Sequence, residues 1–335
     1  MGVGEADVDG IVAALVRGER LAVAACLNDV EDQRAPAALR SRALQRALAA
    51  SGASERAHRV GFTGPPGVGK SSLVAAFARA LRTSPPQRSV GVIAVDPSSE
   101  RSGGALLGDR VRIASDAEDT GLFIRSLATR GHLGGLARVA AGEVLVLSAA
   151  FDVVIVETVG VGQSETEVQD VVDTLVFVVQ PGAGDTLQHL KAGVMEIPDV
   201  FVINKADLGA TAERTRAELR SALASLTHAG ILETSPGVAT TSARDGTGIV
   251  ELLATVDAHR VAAAASGALA RRRVDGALAQ ALRAFVRRYG ELGVERAGGE
   301  EMLRREAALR LARGEDIGSV VLALDPFEAG PDTRP

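Results

Sequence analysis

Between the apolar segment Val60-Gly61-Phe62-Thr63 and the helical run Ser72-Leu73-Val74-Ala75-Ala76-Phe77 lies Gly64-Pro65-Pro66-Gly67-Val68-Gly69-Lys70-Ser71. These residues complete the pattern G-x-x-x-x-G-K-[ST], in the strand–loop–helix setting that the pattern needs. Glycines let backbone N–H groups close around a phosphate, and the following helix turns its N-terminus toward the anion. Lys70 adds a point charge, and Ser71 is placed to offer its hydroxyl to Mg²⁺. The segment from Gly64 to Ser71, with Ser72 next on the helix, predicts a nucleoside triphosphate site.

The loop also constrains the architecture. Short β-branched runs at 59–63, 90–95, 153–157, 174–179, 200–204 and 238–241 alternate with helical stretches, which predicts an α/β fold with a mostly parallel central sheet. A helix over about 70–82 returns through Thr83-Ser84-Pro85-Pro86-Gln87-Arg88 to the strand at 90–95. So short a return implies a right-handed crossover and parallel strands, where Ras-like proteins have an antiparallel strand. Apolar spacing predicts helix over 8–27 and 37–50, giving a helical N-terminal extension of residues 1–55. The nucleotide-binding domain then covers 56–247. Helices at 248–270, 274–292 and 299–313 form a C-terminal region, 248–325, and 326–335 reads as a tail.

Composition excludes several function classes. Hydrophobic residues make up 46% of the 335, enough to bury a core, and the net charge of −5 argues against a nucleic-acid surface or a polybasic membrane anchor. No apolar run is long enough to span a bilayer. Glu5, Asp7 and Asp9 stand where a secretion signal would be basic, so a cytoplasmic location is expected. Cys26 is the sole cysteine, which rules out a disulfide framework or a thiolate metal site.

Three further constellations carry chemistry. Val153-Val154-Ile155-Val156-Glu157 is an apolar strand ending in a carboxylate, with Gly160 three residues on. In phosphate-loop proteins that carboxylate serves Mg²⁺, directly or through water, and the glycine N–H meets the γ-phosphate. Asn204-Lys205-Ala206-Asp207 follows the strand Val200–Ile203 and reads as a guanine-specificity motif. Its aspartate accepts two hydrogen bonds, from guanine N1–H and the 2-amino group, and adenine has no such pair of donors. The lysine stem would cover the base, Asn204 would tie loops together, and Ser242-Ala243 would supply the backbone contact to guanine O6. Finally, Asp96 ends the strand beside the phosphate loop and can reach the Mg²⁺ shell or the attacking water. A helix N-cap before Pro97 is the alternative for Asp96, and a solvated charge the alternative for Asp109 farther along the same glycine-rich stretch.

Two absences shape the expected catalysis. Where Ras-like proteins place a water-orienting glutamine, this chain has Val161, with Gln163 two residues on. Hydrolysis should therefore be slow without a partner. The histidines at 58, 132, 189, 228 and 259 form no sequence cluster, and only His189 lies near a chemical motif.

Taken together, these motifs resemble the MeaB/ArgK/MMAA family of methylmalonyl-CoA mutase-associated GTPases. The resemblance runs from about residue 10 to 250. It rests on Gly64–Ser72, Val95-Asp96-Pro97-Ser98-Ser99, Gly103-Gly104, Leu107-Gly108-Asp109, Phe123-Ile124-Arg125 and Arg130–Gly135. It continues through Val156–Glu165, Pro181–Asp185, Leu187-Gln188, Met195-Glu196 and Asn204–Asp207. It implies a GTP/GDP-binding, Mg²⁺-dependent GTPase chaperone of an adenosylcobalamin-dependent acyl-CoA mutase, homodimeric through C-terminal helices. It matches Asp96, Asp109 and Glu157 to metal-shell acids, and Asp185, Gln188 and Lys191 to a mobile switch. Lys191 is then the group expected to approach the γ-phosphate when a partner docks. Apolar Leu278, Leu282, Phe285 and Val286 also look too numerous for one helical arm to bury alone, which points the same way.

Some positions depart from the family pattern: Phe123-Ile124-Arg125-Ser126 lacks a following proline, Ala192 stands for a second lysine, and His189 stands where glycine is frequent. They leave open which mutase is served. The rival readings are a nickel-insertion-type GTPase, which would need a Cys/His metal site, and a small-molecule kinase or transport-associated ATPase, which would prefer adenine.

Overall fold

In the computed structural model, residues 5–32, 34–96, 119–128, 133–158, 168–182, 184, 198–232 and 234–327 are described. The chain divides into two compact units: Met1–Ala57 with His132–Phe151 and Ala270–Pro335, and His58–Gly131 with Asp152–Leu269.

The second unit is built on a seven-stranded sheet. Its strands are β1 (His58–Thr63), β2 (Val90–Asp96), β3 (Leu122–Ala128), β4 (Val153–Glu157), β5 (Thr174–Val179), β6 (Val200–Ile203) and β7 (Gly237–Thr240), in the order β3-β2-β4-β1-β5-β6-β7. Every described pairing is parallel, the β1–β2 relation included, although β4 inserts between those two strands. β3 is a strand that periodicity did not single out: Leu122, Ile124 and Ser126 are only partly covered, while Phe123 and Leu127 are buried. Such an edge pattern is short of the continuous apolar run that marks the central strands.

Side-chain alternation assigns the two faces. Val176 and Val178 of β5 and Val200 and Val202 of β6 join one core, with Phe62, Ile155 and the buried face of α4 (Lys70–Thr83), namely Leu73, Val74, Phe77 and Leu81. Phe62 and Phe77 meet edge to face at 5.3 Å. Phe177, Val179, Phe201 and Ile203 point the other way, onto Ala212, Leu219 and Leu223 of the helix Ala210–His228. The period-two pattern thus packs one strand against helices on both sides.

In the first unit, α1 (Glu5–Val16), α2 (Arg20–Glu31) and α3 (Ala35–Ser51) precede the sheet in sequence, and Leu133–Ala150, Ala268–Arg296, Glu300–Ala312 and Ile317–Ala323 are further helices of the chain. The helix expected as one piece over 8–27 is two, because Gly18 turns left-handed (φ +71°) after α1. Helix Ala268–Arg296 is interrupted at Gly290, also at positive φ (+67°). Leu278 and Leu282 are partly buried and Phe285 fully buried, against Leu303, Val320 and Val321 of the two following helices. Of the four apolar residues that looked too numerous for one arm to bury, Val286 is left 45% exposed. No described helix is long and apolar enough to cross a membrane.

Candidate functional site

The phosphate loop leaves the C-terminal end of β1 at the sheet centre and enters α4. Its glycines are required by geometry. Gly64 sits at φ +140°, and a Cβ there would lie 2.3 Å from the Val178 carbonyl oxygen. Gly69 sits at φ +90°, where a Cβ would press on the Asn204 side-chain amide at 2.7 Å. Pro65 is half-buried, Pro66 and Gly67 are exposed, and Val68 is buried as an anchor for the loop. Lys70 is 7% exposed, and its ammonium folds back over the loop to donate to the Gly64 and Pro65 carbonyls at 2.7 and 3.0 Å. Those carbonyls hold the charge inside the curve of the loop.

Ser71 follows Lys70 in the first turn of α4, and its hydroxyl donates to Glu157 Oε1 at 2.6 Å. Residues 86 positions apart in sequence are joined because β1 and β4 pair in register, Phe62 opposite Glu157. Thr158 continues the link: its N–H donates to the Phe62 carbonyl at 3.0 Å, and its hydroxyl donates to Thr63 Oγ1 at 3.0 Å. A hydroxyl and a carboxylate are thus held together at the mouth of the phosphate loop. Ser72 follows on the exposed side of α4.

The base-reading elements lie at the ends of β6 and β7. Asn204 is 2% exposed and bonds in two directions. Its amide nitrogen donates to the Val68 carbonyl at 2.9 Å, and its oxygen accepts from the Ala243 N–H at 3.2 Å. It ties the phosphate loop to the segment after β7. Lys205 takes φ +63°, and among the described residues no other non-glycine has a positive φ. Its ammonium donates to the Gly67 carbonyl at 2.8 Å and to Gln180 Oε1 at 3.2 Å. Asp207 Oδ1 accepts from the Ser242 hydroxyl at 3.1 Å, and Arg244 approaches Oδ2 at 3.8 Å. The turn after Ser242 is fixed by Asp245, whose carboxyl is held below the usual range by the Thr247 hydroxyl and N–H.

The structure therefore gathers Gly64 to Ser71, Glu157, Asn204, Lys205, Asp207, Ser242 and Ala243 along the C-terminal ends of β1, β4, β6 and β7. Asp96 closes β2, which pairs with β4. Asp109, Gly160, Val161, Gln163, Asp185, Gln188, His189 and Lys191 lie outside the described residues.

Three contacts escaped sequence reasoning. Thr63 and Thr158 gave no signal, because a buried threonine in or next to a strand reads as ordinary β propensity. Gln180 follows β5 and could have been suspected from its place just before Pro181-Gly182. A third is away from the site. His58 Nε2 and His259 Nδ1 both lie 2.8 Å from Thr174 Oγ1, and His259 Nε2 faces Asp199 Oδ1 at 3.3 Å. Histidines 201 residues apart share this hydroxyl because Thr174 lies on β5, the neighbour of β1, and His259 reaches it from the helix Ile249–Ala265. Burial lowers the His58 pKa to about 4, with Arg260 and His259 adding to the shift and Asp173 and Asp257 opposing it.

Comparison with known proteins gives the site its context. The sequence profile of a family described as "Methylmalonyl Co-A mutase-associated GTPase MeaB" matches residues 22–289. The chain is 39% identical over 271 residues to the GTPase ArgK of Escherichia coli, covering 80% of each. It is 40% identical over 278 residues to the mitochondrial methylmalonic aciduria type A homolog of Mus musculus, covering 79% of this chain and 66% of that one. A crystal structure described as an LAO/AO transport system kinase superposes with a TM-score of 0.66 at 30% identity, covering 96% of this chain and 97% of the other. A phosphate loop on a parallel sheet, with an N-K-x-D segment at the β6 end and matches of this length, makes this chain a member of the MeaB family of methylmalonyl-CoA mutase-associated GTPases.

Proposed function

We propose that this GTPase is a Mg²⁺-dependent chaperone of an adenosylcobalamin-dependent acyl-CoA mutase, gating cofactor loading and release and protecting the mutase from inactivation. The nucleotide half of this reading rests on one observation above all. Asn204 bridges the phosphate loop and the Ala243 N–H while Ser242 holds Asp207, so phosphate and base ends are built as one piece. An acceptor carboxylate at the base end suits guanine and leaves adenine without a match, which disfavours a kinase or transport ATPase. The mutase half rests on family membership.

In this reading Lys70 and the loop N–H groups from Gly64 to Ser72 bind the phosphates, joined by Gly160. Lys205 covers the base, Asp207 reads its edge, and Ala243 N–H and Ser242 complete the pocket. Ser71 and Glu157 present hard oxygen donors side by side, a donor set that fits Mg²⁺. They would hold it with Asp96 and Asp109. Bound Mg²⁺ supplies neutralisation of charge developing on the phosphates. Glu157 and Asp96 would also orient water, and Lys191 would bring a positive charge to the γ-phosphate once the mutase docks.

Residues 56–247 would carry this chemistry, with 1–55 and 248–325 as helical extensions, the latter for homodimerisation, and 326–335 as a tail. The protein would work in the cytoplasm, apart from membranes and nucleic acid. The test is adenosylcobalamin transfer to the apo-mutase, followed by its absorbance, with this protein present in GTP, GDP or no nucleotide. A nucleotide-dependent change in transfer or in mutase lifetime supports the chaperone role; identical time courses in all three contradict it.

A further inference from the structure

We infer that Gln180 is a positioning residue for the base end of the nucleotide, acting through Lys205; this rests on the guanine-site reading above. Lys205 leaves β6 in a left-handed conformation that a non-glycine residue adopts at a cost, and its ammonium ends between two oxygens. One is the Gly67 carbonyl of the phosphate loop at 2.8 Å, the other Gln180 Oε1 at 3.2 Å. An ammonium has donors only, so the glutamine must present its oxygen there. With its end held at two points, the four-carbon stem of Lys205 is laid along one path instead of sampling many rotamers. That stem is the part of the residue assigned to the face of the base.

The position of Gln180 is itself well determined. It follows Val179, which pairs with Ile203, so the register sets Gln180 beside Asn204 and the lysine after it. On its other side the chain is pinned at Gly182, whose N–H donates to the Thr215 hydroxyl at 3.0 Å. Thr215 is 3% exposed and belongs to helix Ala210–His228. Gln180 therefore stands between a strand end and an anchored turn, and its exposed side chain has the lysine as its observed partner. A residue in this place orders Lys205 before the nucleotide arrives, which lowers the ordering cost of binding. It acts on the base end and leaves the phosphate contacts of Lys70 alone.

Calorimetric titration of the full chain with GDP, ADP and tripolyphosphate tests this, using wild type, Gln180→Ala and Gln180→Glu. Gln180→Ala should raise the Kd for GDP roughly threefold to tenfold, the scale of one hydrogen bond to a charged group at a solvent-facing position. Tripolyphosphate, which has no base, should bind both proteins alike. Gln180→Glu keeps an acceptor facing the ammonium and should bind GDP at least as tightly as wild type. Unchanged GDP binding in Gln180→Ala would overturn the inference, as would an equal loss for tripolyphosphate, which would mean a general disturbance of the loop through Gly67. If Gln180→Ala melts early, failure of Gln180→Glu to retain GDP affinity is equally decisive against it. A wild type that binds ADP as well as GDP would instead bring down the guanine-site reading beneath it.

Discussion

At the residue scale, a small number of polar side chains link the two ends of the nucleotide site. Asp207 is held by the Ser242 hydroxyl on one oxygen and faces Arg244 with the other. Replacing it with asparagine exchanges an acceptor for a donor, so Asp207→Asn should weaken GTP roughly 100-fold or more and favour xanthosine triphosphate, as competition binding would show. Equal affinity of the wild type for ATP and GTP would contradict the assignment. Lys70→Ala removes the charge curled inside the loop and should abolish tight GTP binding with the fold intact; normal turnover in that variant would refute the loop's role. A third expectation concerns stability. His58 is buried neutral with its pKa lowered to about 4, while an unfolded histidine titrates near 6.5. Between those values the unfolded chain binds the extra proton, so the stabilisation is present above about pH 6.5 and is lost as pH falls toward 4, by up to about 3 kcal/mol. Denaturant melts across that range should show the slope, and His58→Gln should flatten it.

At the scale of elements, what the sequence made legible follows from where its signals are local. The phosphate loop, β1 and α4 were readable together, because glycine, lysine and an apolar strand fall within about twenty residues. β4, β5 and β6 were readable as unbroken apolar runs, buried along their whole length. The edge strand β3 was not, since half-covered residues carry a weaker pattern. The His58–Thr174–His259 contact and the Thr63–Thr158 pair depend on strand order, which no local pattern states. Leu278, Leu282, Phe285 and Val286 looked too numerous for one helical arm to bury alone, and the two helices that follow in sequence pack against the first three. Lys191 has its own expected outcome. Lys191→Ala should keep GTP affinity and the basal rate while losing most of any partner-induced acceleration, roughly 10³-fold where a positive group completes the site.

At the scale of the whole molecule, a GTPase with valine in place of the water-orienting glutamine should need help from outside its own site. Homodimerisation is the smaller expectation at this scale, and light scattering checks it: twice the 34.4 kDa of one chain supports it, and a monomer at micromolar concentration contradicts it. Hydrolysis coupled to a mutase is the larger expectation. Single-turnover GTP hydrolysis, measured with and without an adenosylcobalamin-dependent acyl-CoA mutase from the same cells, tests it most directly. Phosphate release from the protein alone should be slow, with an acceleration on the order of 10³-fold when the mutase is added. An identical rate in the presence of every such mutase the cells contain would contradict it.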